Sequence, residues 1–281
     1  MVKVDITSMI RKNMIGFLFF TMQLVAVSLT WAGPYPPSAD EFGSHAISMN
    51  DPALISWAIG YSDYLVGQNV DKTWQVPGNA LGPAEGNSFD IVALGSGGRI
   101  TLRFDPPIEN GEGWDFAVFE NSFSDRYLEL AYVEVSSNGI DFVRFDAISL
   151  TPHPVPGFGN IDPTDVDGLA GKYRQGYGTP FDLEEISDKP GVLSGDVDLS
   201  SISFIRIVDV VGDGTFLDSL GEVIYDPYPT AGSAGFDLDA VGVSNGAPYP
   251  DGEYIPPSAP PENGGSGFGE DTGCFISAVL S

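Results

Sequence analysis

The sequence predicts an all-β fold, an antiparallel β-sandwich of the jelly-roll type with long loops and little helix. Three observations predict it. Short apolar runs recur between turn signals from about Asp40 to Asn245, several of them alternate with a period of two, and helical periodicity is scarce. The 35 Gly and 22 Pro supply turns without reaching low-complexity composition, and 42% hydrophobic residues suffice for a core.

Taken in order, residues 1–32 read as a secretory signal peptide. Lys3, Arg11 and Lys12 form a basic head, Met14 to Leu29 is an apolar run, and Thr30 and Ala32 place small residues at −3 and −1 before Gly33. An uncleaved N-terminal anchor is the alternative, because the run is near spanning length. Asn50-Asp51-Pro52 resembles a cap with proline at the first helical position, so a short helix is expected over Ala53–Ile59. Strands are expected at Phe89–Leu94, Ile100–Phe104, Phe116–Phe119, Ala131–Val135, Phe142–Phe145, Phe204–Val208 and Phe236–Val243. In the second of these, Ile100, Leu102 and Phe104 share one face while Thr101 and Arg103 share the other. Hairpin turns are expected at the glycines of Leu94–Arg99 and at Asn138-Gly139. Phe181–Ile186 is expected to make one or two helical turns, within a long Gly/Pro/Asp-rich stretch between Leu150 and Ser203. The domain is expected over 40–245, and Gly246–Ser281 reads as a flexible, acidic Gly/Pro-rich tail.

Charge narrows the function. Twelve Lys and Arg stand against 39 Asp and Glu, a formal net charge of −27, which excludes binding nucleic acid through its phosphates. A single Cys excludes an intramolecular disulfide framework and any multi-cysteine zinc site. No basic flank follows Ile207, so no transmembrane stop is expected after the leader is removed.

Four runs carry a family likeness: Gly86–Ile91, Trp114–Phe123, Gly171–Leu183 and Gly235–Val243. Together they resemble a family of bacterial exported cell-surface proteins, whose members often end in a sorting tail such as a PEP-CTERM segment. The domain is similar in style to galactose-binding-like jelly rolls, which include discoidin domains and many carbohydrate-binding modules. The ending Gly273-Cys-Phe-Ile276 resembles the CFI-box tail of some bacterial surface proteins, which makes Cys274 a sorting residue; the alternative is an inert thiol on a flexible tail.

Calcium is the cofactor these residues suggest, because hard cations want six to eight oxygens and the loops supply them densely. Strand periodicity puts Asp237 and Asp239 on one face, roughly 6–7 Å apart, where one cation could bridge them. The resemblance matches Asp239 to the last-strand acid that many galactose-binding-like modules use. Glu120 and Asn121 end a strand where a loop begins, and a second acidic group runs through Asp209, Asp213, Asp218, Glu222 and Asp226. A solvated acidic surface without a specific ion is the competing reading. Tyr173, Arg174 and Tyr177 form the ligand-binding candidate, since aromatic faces stack on sugar rings. Alternatively, Arg174 pairs with nearby acids and the tyrosines pack the loop down.

His45 and His153 are the only histidines and no Gly-x-Ser-x-Gly elbow exists, so no nucleophilic site is expected. The expectation is an exported cell-surface or matrix binding module, calcium-stabilised and non-catalytic, with a polysaccharide or surface glycan as partner. A glycoside hydrolase using paired carboxylates and a purely structural envelope component are the alternatives.

Overall fold

Alternation decides which sheet face each residue joins. Ile100, Leu102 and Phe104 are buried, and so are Val133 with Val135 and Ile205 with Ile207. The computed structural model describes residues 32–249 and Tyr254. The leader residues 1–31 and the tail around Cys274 lie outside them. Backbone contacts group the chain into Met1–Ala32 and Gly33–Ser281, and the second unit carries the fold.

Its strands run β1 (Ile47–Ser48), β2 (Ser56–Trp57), β3 (Gly60–Leu65), β4 (Val92–Ala93), β5 (Arg99–Ile108) and β6 (Phe116–Glu120). They continue with β7 (Ala131–Ser136), β8 (Val143–Arg144), β9 (Ile148–Ser149), β10 (Val166–Asp167), β11 (Tyr177–Phe181), β12 (Ile202–Asp209) and β13 (Asp237–Val243). One sheet has the order β1-β11-β6-β13-β2, with β4 also on β13. The other has the order β3-β5-β12-β7-β8, and every pairing in both is antiparallel. Phe116, Val118, Leu238, Val241 and Val243 from the first sheet pack on Ile100, Leu102, Val133, Ile205 and Ile207 from the second. This is an all-β antiparallel sandwich. Each of the seven expected strand regions contains a strand.

The departures have physical causes. Ala53–Ile59 is not a helix. Asp51 turns the chain by accepting from Ala53 N, and Ser56–Trp57 then pairs with Gly242–Val243, so sheet pairing overrides the cap-like sequence. The glycines of Leu94–Arg99 make no hairpin, because β4 and β5 belong to different sheets and the turn carries the chain between them. Asn138-Gly139 does close the hairpin of β7 and β8. Leu183–Ile186 is a 3-10 turn capped by Asp182, and Pro190–Leu193 is a single α-helical turn. The long stretch after Leu150 is packed rather than loose. Val155, Ile161, Val166 and Leu169 cover Leu130 and Tyr132 on the outer side of the second sheet. The ordered chain also extends past Asn245, since Tyr249 Oη both accepts from Trp57 N at 2.7 Å and donates to Trp57 O at 2.5 Å.

Among the described residues no helix is long and apolar enough to cross a membrane.

Candidate metal centre

Three inward-facing apolar stripes end in acids. Phe116 and Val118 lead to Glu120, Ile205 and Ile207 lead to Asp209, and Val135, Val133 and Ala131 lead back to Glu129. Because β6 and β12 end, and β7 begins, at the same end of the sandwich, the three carboxyls gather there. Asp237 at the start of β13 and Asp226 from the preceding loop join them. All five are buried, none more than 4% exposed.

Backbone donors hold part of this group. Asp209 accepts from Phe236 N and Gly97 N, both at 2.8 Å, Asp226 accepts from Leu130 N at 2.8 Å, and Glu120 accepts from Ser122 N at 2.7 Å. Gly235, at φ +68°, lets the chain pass Asp209 closely; a Cβ there would lie 2.5 Å from Asp209 Oδ1. Other oxygens are unmet. Among the described residues, Glu129 Oε1, Asp237 Oδ1 and the amide oxygen of Asn121 are buried without any hydrogen-bond partner.

Among the described residues no cation compensates, and none of the five acids forms an ion pair. Burial, and after it the neighbouring carboxylates, push the Glu120 and Glu129 carboxyls well above the usual range. For Glu129 those neighbours are Asp237, Glu120, Asp226 and Asp209. Burial and then Asp209 do the same to Asp226. Burial raises Asp209 to about 7 against the pull of its two backbone donors, and raises Asp237 to about 8. A buried carboxylate without a partner costs several kcal/mol, roughly, so the group must take up either protons or an external cation. Its donor set is all oxygen, the chemistry of a hard cation such as calcium.

As placed, no three acidic side chains among the described residues converge at ligating distance. A cation would draw instead on the free oxygens of Glu129, Asp237 and Asn121, completed by peptide carbonyls, which hard cations accept equally. The all-oxygen donor chemistry and the partnerless oxygens suit a hard cation.

Of the residues the sequence singled out, Glu120, Asp209, Asp226 and Asp237 meet at this end, with Asn121 next to Glu120. Asp239 does not join them. A register shift between Leu238 and Ala240 breaks the alternation that would pair it with Asp237. Asp239 instead accepts from Glu85 N at 3.1 Å and Gly86 N at 2.9 Å, and burial raises it to about 6. Asp213 is exposed and caps its own turn by accepting from Thr215 N and Oγ1 at 2.9 and 2.6 Å. Asp218 similarly orders a loop, accepting from Leu220 N, Glu222 N and Ser149 N. Glu129 was missed, although it sits one alternation before Ala131.

The ligand candidates form a closed loop rather than an open face. Tyr173 is 2% exposed, and Arg174 is held by Asp125 and Asp40, each at 2.6 Å. Tyr177 Oη donates to Asp40, and its ring lies 4.7 Å from the Arg174 guanidinium carbon. Cys274 lies outside the described residues.

Neither a family model nor any curated protein sequence matches the chain.

Proposed function

We propose that the chain is an exported, non-catalytic surface or matrix binding module whose sandwich is stabilised by calcium and whose ligand is a glycan. The observation that carries the ion is the end of the core where five carboxyls and the Asn121 amide oxygen are buried and, among the described residues, none of the five acids forms an ion pair. A divalent ion that binds only the folded state stabilises it by mass action. The leader pattern and the strongly acidic composition support export. Hydrolysis of a glycosidic bond requires two carboxyls within reach of a sugar. Glu120 and Glu129 carry strongly raised carboxyls but are only 1% and 4% exposed, which argues for binding an ion rather than a substrate.

The test is thermal melting of the sandwich after dialysis against EDTA, followed by titration with calcium, magnesium or sodium chloride at matched ionic strength. Calcium should restore the melting temperature at concentrations where magnesium does not, because irregular loops suit its looser coordination. A melting curve that ignores EDTA, or that answers equally to sodium, would mean the acids are held by protons.

A further inference from the structure

The loop joining β6 to β7 runs from Asn121 to Leu130, and Asn121 and Glu129 put the proposed ion site at both of its roots. Between them it raises two aromatic rings, and a third comes from the long packed stretch. Phe123 and Tyr127 stack at 5.9 Å and 15°, and Tyr127 and Phe158 at 6.1 Å and 23°. Phe123 is 68% and Phe158 87% exposed, while Tyr127 is half-buried between them. Single exposed apolar residues are ordinary, but three rings in a parallel row form a contiguous patch that water solvates poorly.

The row is held stiffly. Ser122 N is fixed by Glu120, and the single Ser122 hydroxyl proton is shared between Ser124 O, at 3.0 Å, and Tyr127 O. Ser124 Oγ accepts from Tyr127 N at 3.0 Å, and Ile161 N donates to Arg126 O at 2.7 Å, tying the loop to the segment that carries Phe158. Rings that are already ordered lose little entropy when a ligand arrives.

Charge selects the partner. Asp125 and Asp162 flank the rings, paired with Arg174 at 2.6 Å and Arg126 at 3.4 Å, in a chain of net charge −27. Anionic lipid, nucleic acid and acidic polymers are repelled. An uncharged sugar chain is not: its C–H faces lie on aromatic rings, and its hydroxyls donate to the carboxylates at the rim.

We propose that the row Phe123–Tyr127–Phe158 is the docking surface for a neutral polysaccharide. The proposal rests on the binding-module reading and gives its ligand class a location that Tyr173 and Tyr177 do not supply. Clamping at Asn121 and Glu129 also makes docking stronger with the ion than without it.

The experiment is affinity electrophoresis of the full chain in native gels cast with hydroxyethyl cellulose, xyloglucan, galactomannan or dextran, in calcium. At least one polysaccharide should retard the wild type. Phe123→Ala with Phe158→Ala should weaken that retention by about tenfold or more, as truncation of aromatic anchors does, without moving the calcium-loaded melting temperature. The proposal is overturned if none of the four polymers retards the wild type, or if the double variant is retarded equally. Flotation with phosphatidylcholine vesicles in place of gel retention also overturns it, assigning the rings to lipid. The melting response to EDTA is read separately. A lost response with intact retention removes the ion alone, and an intact response without retention removes the ring row alone.

Discussion

One strand, β6, reaches both ends of the inter-sheet layer, and the two ends are closed by opposite chemistry. At its first residue, Phe116 stacks on Phe181 at 5.3 Å, while Phe145 meets both rings edge-on at 5.9 and 5.0 Å. At its last, Glu120 joins four other buried acids. The aromatic end is complete in itself: the rings pack on one another, and the buried acid beside them, Asp115, accepts from Gly111 N, Leu183 N and Asn245 Nδ2. The acidic end is not, because like charges in a poorly solvated space oppose folding until something neutralises them. The stability of this sandwich is therefore fixed at one end and set by the solution at the other.

Substitution at the aromatic end should have the largest effect. Phe181→Ala removes a fully buried ring and should cost about 3–5 kcal/mol, equally in calcium and in EDTA; a calcium-dependent loss would erase the contrast between the ends. Next is removal of the ion. At a hundred times its dissociation constant the ion contributes about 2.7 kcal/mol, so chelation should lower the melting temperature by roughly 5–10 °C.

The pH profile should separate the two states of the acidic end. A carboxyl raised on folding holds its proton more tightly in the folded than in the unfolded chain. Its contribution is present below the unfolded value near ~4 and is lost as pH rises through the folded one. With Asp209 at about 7 and Asp237 at about 8, stability in EDTA should fall between ~4 and ~8. Calcium needs ionised ligands, so its stabilising effect should grow across the same interval. Equal slopes with and without calcium would sink the coupling.

Smaller still, Glu129→Gln should act with two signs. In EDTA it removes a carboxyl that must take up a proton to be buried and raises the melting temperature by a few degrees, roughly, whereas in calcium it removes a ligand and blunts the response. The smallest effect belongs to Arg174→Ala. Its pairs with Asp40 and Asp125 are largely exposed, so the melting temperature should barely move and the change should shrink further in salt.

The sheets were legible because apolar and polar or aromatic positions alternate in β5, β7 and β12. Only in β12 does the burial itself alternate throughout its second half, since Thr101, Tyr132 and Ser136 are covered on the outer faces of β5 and β7. Strands of two residues, such as β2 and β9, are too short to alternate, which is why Ser56–Trp57 passed for helix. At the site, Glu120 stood out as an acid at a strand end and Asp209 as a member of an acidic group, and Glu129 lay in the same kind of stripe as Glu120. Asp226 lies in an aperiodic loop, and no local pattern carries it inward. Asp239 misled because a bulge deletes the periodicity on which its pairing with Asp237 depended. Sequence encodes face by counting, and a single extra residue changes the count.

Tyr249 has a bearing on how this protein avoids its own kind. β2 closes one edge of its sheet, and the phenol of Tyr249 occupies both the amide and the carbonyl of Trp57 there. A bare sheet edge is a template on which another chain can add a strand. The residues just after the last strand thus serve as a guard rail, and cutting the chain at Asn245 would leave that border open as an adhesive seam.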